Sequence, residues 1–333
     1  MKRRRSLMKA AKHLPGIIFG VILAAFTVYC LLDTFVITRV FEVPETADTS
    51  SYTENSAATD GESSADTVIT SETQTDAVTE TEPVTQTAAP VITDNSYSDE
   101  NIKIKIESHR YNETTVYVAD IVVSSPEYLK TALARGVYGR NVTEKTSDAA
   151  ERVGAILAIN GDFYGARESG YVIRNGIIYR SRSRTATEIL AVYSDGTFKV
   201  HNSADISAQQ LLEDGAVNVF SFGPGLVSDG VVTVSKKYEV GVAMASNPRT
   251  AIAMISETHY MFVVSDGRTE DNEGLSLYEL ACFLRDFGAV TAYNLDGGGS
   301  STMVFNGRII NNPTTNGDRI SERSVSDIVY IGY

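Results

Sequence analysis

Cysteine is scarce in this chain. It occurs twice in 333 residues, as Cys30 in an apolar N-terminal segment and as Cys282 in a stretch of helical periodicity. Settings so different exclude a bridge between them, so the outer part of the chain has to be held by its own core, which ~230 residues can supply. No His neighbours Cys282 in sequence, which assigns it to the core rather than to nucleophilic duty. Histidine is almost as rare. His13, His109, His201 and His259 are isolated from one another, and no HExxH or Cys/His cluster is present. The acidic stretch from Asp266 to Glu273 does not keep the spacing of a calcium loop. No metal ligands are therefore assigned and no cofactor is expected, with a divalent cation left open.

Charge of one sign is missing from long stretches. The first twelve residues hold six Lys or Arg and no acid, whereas Pro44 to Glu100 holds thirteen Asp or Glu and no base. From Asn101 onward, 22 basic and 27 acidic residues come close to balance. No long basic stripe occurs there, which argues against a nucleic-acid partner. The net charge of −13 and the pI of about 4.8 belong largely to the acidic stretch.

Four regions follow. Residues 1–13 form a basic arm. Ile17 to Leu32 runs sixteen positions without a charge; extended from Leu14 it nears the ~20 residues that cross a bilayer. This predicts a single-pass transmembrane signal anchor over 14–40, in the cell membrane, with the N-terminus cytoplasmic and the remainder extracellular. A cleaved signal peptide is the competing reading. Residues 41–100 are rich in Ser, Thr and acids and poor in large apolar side chains, so they are expected to be a disordered stalk. Residues 101–333 form the outer domain.

That domain alternates strands with a few helices. Ile102, Ile104 and Ile106 alternate with Lys103, Lys105 and Glu107, the period of a half-buried strand. Thr115 to Val123 reads as the next strand. Asn175-Gly176, Asp195-Gly196 and Asn306-Gly307 each sit between apolar runs, the strongest short-range hairpin signal. Helices are predicted from Ser147, with Asp148 and Glu151 at capping-box spacing, and from Ser207 to Asp214. A third starts at Ser276, with Glu279 at N3 and Leu277, Leu280, Ala281, Leu284 and Phe287 on one face. Thr250–Ser256 and Tyr260–Ser265 form a hairpin, and Val290 to Leu295 is a buried strand. The predicted class is α+β, a mixed, largely antiparallel sheet with a few packed helices.

Chemistry concentrates where strands end. Asp296-Gly297-Gly298-Gly299-Ser300-Ser301 puts three glycines beside a carboxylate and two hydroxyls. Such backbone can approach a ligand closely and present N–H groups to an anion. No Lys follows the glycines, so it is not a Walker loop, and Gly-x-Ser-x-Gly is absent. Asn160-Gly161-Asp162 and Asp266-Gly267-Arg268 also leave strand ends. Arg249 opens a strand, and Arg319 and Arg323 flank Glu322; an Arg at such a place can clamp an oxyanion.

Asn294-Leu295-Asp296-Gly297-Gly298-Gly299-Ser300-Ser301-Thr302-Met303-Val304 resembles the signature of the phosphodiester glycosidase family. Ala158–Tyr164, Gly170–Gly176, Ser221–Val227, Pro248–Ala253, Val264–Arg268, Asn312–Thr314 and Glu322–Asp327 resemble the family's further segments in the same order. The resemblance covers roughly residues 150–333. It implies hydrolysis of a sugar-1-phosphate diester, with a glycan or sugar phosphate as substrate, in a cell-surface polysaccharide or glycoconjugate. Asp296, Asp266 and Asp162 are then the catalytic candidates. Asn160, Arg249, Arg268, Asn294, Gly297, Gly298, Gly299, Ser300, Ser301 and Arg323 are the candidates for holding substrate and phosphate. Nucleophile and base are not assigned. A non-catalytic glycan-binding domain and cleavage at phosphorus stand as alternatives.

Overall fold

The computed structural model describes residues 18–33, 36–41, 89–236 and 246–333. The basic arm, residues 14–17 and 34–35 of the expected anchor, and residues 42–88 of the expected stalk lie outside them.

Alternation of apolar and polar residues builds the largest sheet. Ile102, Ile104 and Ile106 are buried while Lys103, Lys105 and Glu107 face out, along the strand Ile102–Tyr111. It pairs with Thr114–Val123, which pairs with His259–Ser265, then Arg249–Ser256, Thr291–Asn294, Gly225–Ser228 and Val231–Val232. At the opposite edge come Ser96–Ser98 and Val91–Ile92, completing nine strands. A five-stranded sheet follows the order Ile177–Arg180, Val172–Arg174, Ala216–Phe220, Glu188–Tyr193, Phe198–Asn202. A second follows Arg308–Ile309, Met303–Phe305, Leu157–Asn160, Asp327–Ile331, Leu129–Leu133. Every strand pair among the described residues is antiparallel. The α+β class is thus observed, with the strands divided among several sheets rather than gathered in one.

The three large sheets share one core, in which Ile104, Ile121 and Phe262 meet Leu190 and Phe220 from the second sheet and Leu157 and Val329 from the third. The helix Leu277–Asp286 covers the far face of the nine-stranded sheet. Leu280 and Leu284 pack there with Val118, Ala253 and Val263, each fully buried leucine stabilising the fold by roughly 1.5–3 kcal/mol. Its capping box forms as expected, Ser276 accepting from the Glu279 N–H and Glu279 accepting from the Ser276 N–H. All four expected hairpins form.

Three boundaries differ from expectation. Among the described residues no helix is long and apolar enough to cross a membrane. Residues 18–33 are helical, and Arg39–Val40, placed within the anchor by the sequence, pairs as a strand with Gly139–Arg140. The sheet starts at Val91 rather than Asn101. Only Tyr97 needs burying there, so polar composition conceals a strand held by backbone bonds and by Asp99, which accepts from the N–H groups of Asn101 and Ile102. Finally, the helix Thr146–Arg152 has Lys145 at its N-cap without a side-chain cap, because Glu322 takes both the N–H and the hydroxyl of Ser147.

A buried ion cluster fastens the two five-stranded sheets. Arg174 Nε donates to Asp327 Oδ2 at 2.7 Å, Nη1 donates to the carbonyls of Ile173 and Val219, and Nη2 lies 3.1 Å from Asp162 Oδ2. The three side chains are almost wholly buried. Two carboxylates face one guanidinium. Burial, aided by the neighbouring Asp162 carboxylate and opposed by Arg174, pushes the Asp327 carboxyl up to about 7. The folded chain therefore holds a proton here between about pH 4 and pH 7 that the unfolded chain releases, so this group's stabilisation is lost as pH rises through that window. Asp327→Asn mimics the protonated acid. The unfolding free energy of the native chain, measured against this variant in urea, is expected to fall by on the order of a few kcal/mol from pH 4 to pH 7. A gap between the two that does not change with pH would overturn the assignment.

Candidate active site

The strand Thr291–Asn294 ends in Leu295, whose N–H donates to Thr250, and then in Asp296, whose N–H donates to the Gly161 carbonyl at 3.2 Å. Asn160, at the end of Leu157–Asn160, closes the junction. Its Nδ2 donates to the carbonyls of Asp296 (2.6 Å) and Gly161 (3.2 Å). Its Oδ1 accepts from Thr250 Oγ1 (2.8 Å) and the Thr302 N–H (3.2 Å). An amide has two N–H donors and two acceptor lone pairs. All are spent on protein, so Asn160 positions the site rather than offering a contact to a ligand.

The glycine loop is dense. A Cβ on Gly297 would stand 2.8 Å from the Pro248 carbonyl, and one on Gly299 would stand 2.3 Å from Thr315 Oγ1. Gly298 has φ +62° and lies against the Arg268 guanidinium. The N–H groups of Gly298, Ser300 and Ser301 donate to Pro248, Gly297 and Gly298 respectively. These three N–H groups fold the loop on itself, and Gly297 and Gly299 allow its close packing.

The three candidate carboxylates fall in different places. Asp162 accepts from the N–H groups of Tyr164 and Ser221 and belongs to the buried Arg174 cluster. Asp266, also buried, accepts from the Asn312 N–H (2.8 Å), Asn312 Nδ2 (3.0 Å), Asn311 Nδ2 and the Tyr117 hydroxyl. Burial, with Asp266 beside it, raises the Tyr117 hydroxyl to about 12. Asp296 is the one beside an exposed cation. Its Oδ2 accepts from Ser300 Oγ at 2.6 Å and Arg323 Nη2 at 3.1 Å, and the Arg323 side chain is 41% exposed. Burial raises the Asp296 carboxyl above the usual range, while Arg323 and Ser300 pull it back.

Arg323 is itself fixed. Its Nε donates to Ser300 Oγ (2.9 Å), Nη2 to the Gly297 carbonyl (3.1 Å), and its backbone N–H to Gly299 (3.0 Å). Arg268 lies against Gly298, held by Asn247 Oδ1 and the Thr315 carbonyl. Partial burial and the nearby Arg323 charge lower its affinity for its proton. Two guanidinia thus lie beside one loop. Arg249, by contrast, is buried, with Nε donating to the Leu275 carbonyl, and burial lowers its guanidinium to about 10. Asn294 turns its Nδ2 to the Gly223 carbonyl at 2.8 Å. Ser301 is fully buried, its hydroxyl without a protein partner. Among the described residues no group of three or more His, Cys, Asp or Glu gathers as metal ligands.

Sequence reasoning overlooked the amides that fix these side chains. Asn247 holds Arg268, and Asn311 and Asn312 hold Asp266, across 21 to 46 positions of sequence. Asn312-Pro313-Thr314 stood among the family-like segments, but no local pattern assigns any of these amides a partner.

A family model described as phosphodiester glycosidase matches residues 153–332. The SPbeta prophage-derived uncharacterized protein YomE of Bacillus subtilis is 31% identical over 203 residues, 59% of this chain and 31% of that protein. The N-acetylglucosamine-1-phosphodiester alpha-N-acetylglucosaminidase of Mus musculus is 27% identical over 184 residues, 50% of this chain and 35% of that enzyme. The matched segments thus span about a third of the length of these two relatives. The catalytic domain of the zebrafish enzyme of that name, auto-inhibited by its pro-peptide, shares the fold with a TM-score of 0.56 at 22% identity, over 70% of this chain and 83% of that one. A hypothetical protein from Synechocystis shares it with a TM-score of 0.55 at 15% identity, over 70% and 62%. With more than half of its length matched by the family model and the glycine loop built around Asp296, the chain belongs to the phosphodiester glycosidase family.

Proposed function

We propose that the chain hydrolyses the glycosidic C–O bond of a sugar-1-phosphate diester, with Asp296 as the carboxylate at the anomeric carbon. One observation carries this. Of the three candidate carboxylates, Asp296 alone is coupled to an exposed cation, while Asp162 and Asp266 are consumed by buried protein contacts.

A single available carboxylate suits this substrate. Glycosidases that expel an alkoxide use one carboxyl group to protonate the leaving oxygen and a second to stabilise or trap the oxocarbenium-like transition state. A phosphate monoester leaves as a stable anion, so the first duty lapses. The second remains, and ionised Asp296 serves it. Charge growing on the departing phosphate is met by Arg268 and Arg323, both already fixed beside the glycine loop. Burial weakens Asp296 as an acid, which suits it to accept the proton of the water that completes hydrolysis.

The sugar we propose is N-acetylglucosamine, after the substrate named for the mouse relative. The proposed setting is the outer face of the cell membrane, acting on a surface polysaccharide or glycoconjugate. Support for that setting comes from the sequence alone, where a basic arm precedes an apolar run. The chemistry requires no metal.

Full-length protein is expected to turn over an N-acetylglucosamine-1-phosphodiester in the presence of a chelator. In oxygen-18 water the label should enter the sugar; label in the phosphate would place cleavage at phosphorus. Asp296→Asn should lower kcat by roughly a hundred- to a thousandfold with an unchanged melting temperature, a loss of the size seen when one transition-state electrostatic group is removed; wild-type turnover would falsify its role. Arg268→Ala should raise KM by roughly tenfold or more, the worth of a charge-assisted hydrogen bond, and an unaltered KM would remove it from the phosphate site.

A further inference from the structure

Arg323 meets the Asp296 carboxylate, and Arg268 lies against Gly298 of the loop that follows it. Two other loops are pinned directly to the Asp296 strand, since Gly161 accepts from the Asp296 N–H and Gly223 accepts from Asn294 Nδ2. Each of these loops carries an aromatic ring close to its pinned residue, Phe163 on the first and Phe222 on the second. Asp162 braces both, accepting from the N–H groups of Tyr164 and Ser221. The Arg167 guanidinium lies 4.9 Å from the centre of the Phe222 ring and donates to the Ser221 carbonyl. One face of Phe222 is therefore taken. Phe163 is 40% exposed, an apolar ring left in water on a backbone braced from below by the buried Arg174 cluster.

An exposed ring on a braced loop that is itself bonded to Asp296 suits the apolar C–H face of a pyranose, since stacking gains contact area at little entropic cost. Resting on the function proposed above, we propose that Phe163 stacks the sugar ring of the substrate. Sugar and phosphate are then held by different residues, the sugar by Phe163 and the phosphate by Arg268 and Arg323. Asp162 acts as a positioning residue for this wall.

The test uses the full chain with N-acetylglucosamine alone and inorganic phosphate alone as inhibitors. Phe163→Ala should weaken inhibition by the sugar roughly tenfold, leave inhibition by phosphate unchanged, and lower kcat/KM for the diester through KM by a similar factor. A merely structural Phe163 would weaken both inhibitors together. The native chain has no tryptophan, so Phe163→Trp provides a sole tryptophan whose emission should shift as the sugar is titrated. A native chain that cleaves the diester, beside a Phe163→Ala variant with unchanged sugar inhibition and a silent Trp, would overturn the sugar wall and leave the function standing. A native chain without turnover, beside a Trp that answers to the sugar, would overturn the function and support the wall.

Discussion

One buried amide governs the geometry around Asp296. Asn160 joins the end of one sheet, Leu157–Asn160, to the end of another through the Asp296 carbonyl and Thr250, and it anchors the chain leaving the glycine loop through the Thr302 N–H. Each bond in such a set is worth little net, about 1 kcal/mol, because water would supply it in the unfolded chain. The asymmetry matters more. An aliphatic side chain here would leave a buried hydroxyl, a carbonyl and an N–H unpaired at once, each costing about 1–3 kcal/mol. The junction is therefore all or nothing, which is how strand ends from separate sheets hold one register without a bound ligand to organise them.

Around that junction the structure is filled rather than open. Gly297 and Gly299 permit backbone contacts that any Cβ would prevent, and the buried Arg174 cluster fixes the floor of the neighbouring loop. Burying such a charged cluster is not a source of stability by itself, since desolvation offsets much of the Coulomb gain. Its effect is geometric. It sets the positions of Asp162 and Gly161, hence of the residues next to Asp296. Carboxylates that look equivalent in sequence thereby divide into braces and one that meets an exposed cation.

Local structure was legible in the sequence because its signals are local. Ile102, Ile104 and Ile106 announce their strand by alternation, Asn175-Gly176 its hairpin by the φ values the turn demands, and Ser276 with Glu279 its helix by reciprocal capping. The sheet's first strands were hidden because a short edge strand can be made from backbone bonds and one buried Tyr97. The site was legible as a place and not as a division of labour. The sequence marked Asp162, Asp266 and Asp296 alike, each at a strand end beside a glycine. What separates them is Arg174, Asn312 and Arg323, each at least 12 residues away along the chain. The close packing of the glycines depends on Pro248, Thr315 and Arg268, whose approach no periodicity encodes.

The arrangement also explains why a family with sugar-phosphate chemistry can build a site from one strand end. A pair of carboxylates at glycosidase spacing needs two elements held at a fixed separation in a polar cleft, with one kept protonated. When the leaving group is itself an anion, the second acid can be replaced by fixed positive charge. In the proposed reaction that charge comes from Arg268 and Arg323, on loops folded onto the same three glycines that follow Asp296. Carboxylate, guanidinia and backbone then share one mount. A displacement of that mount would carry all of them together and preserve their relative geometry, which is the quantity on which transition-state electrostatics depend.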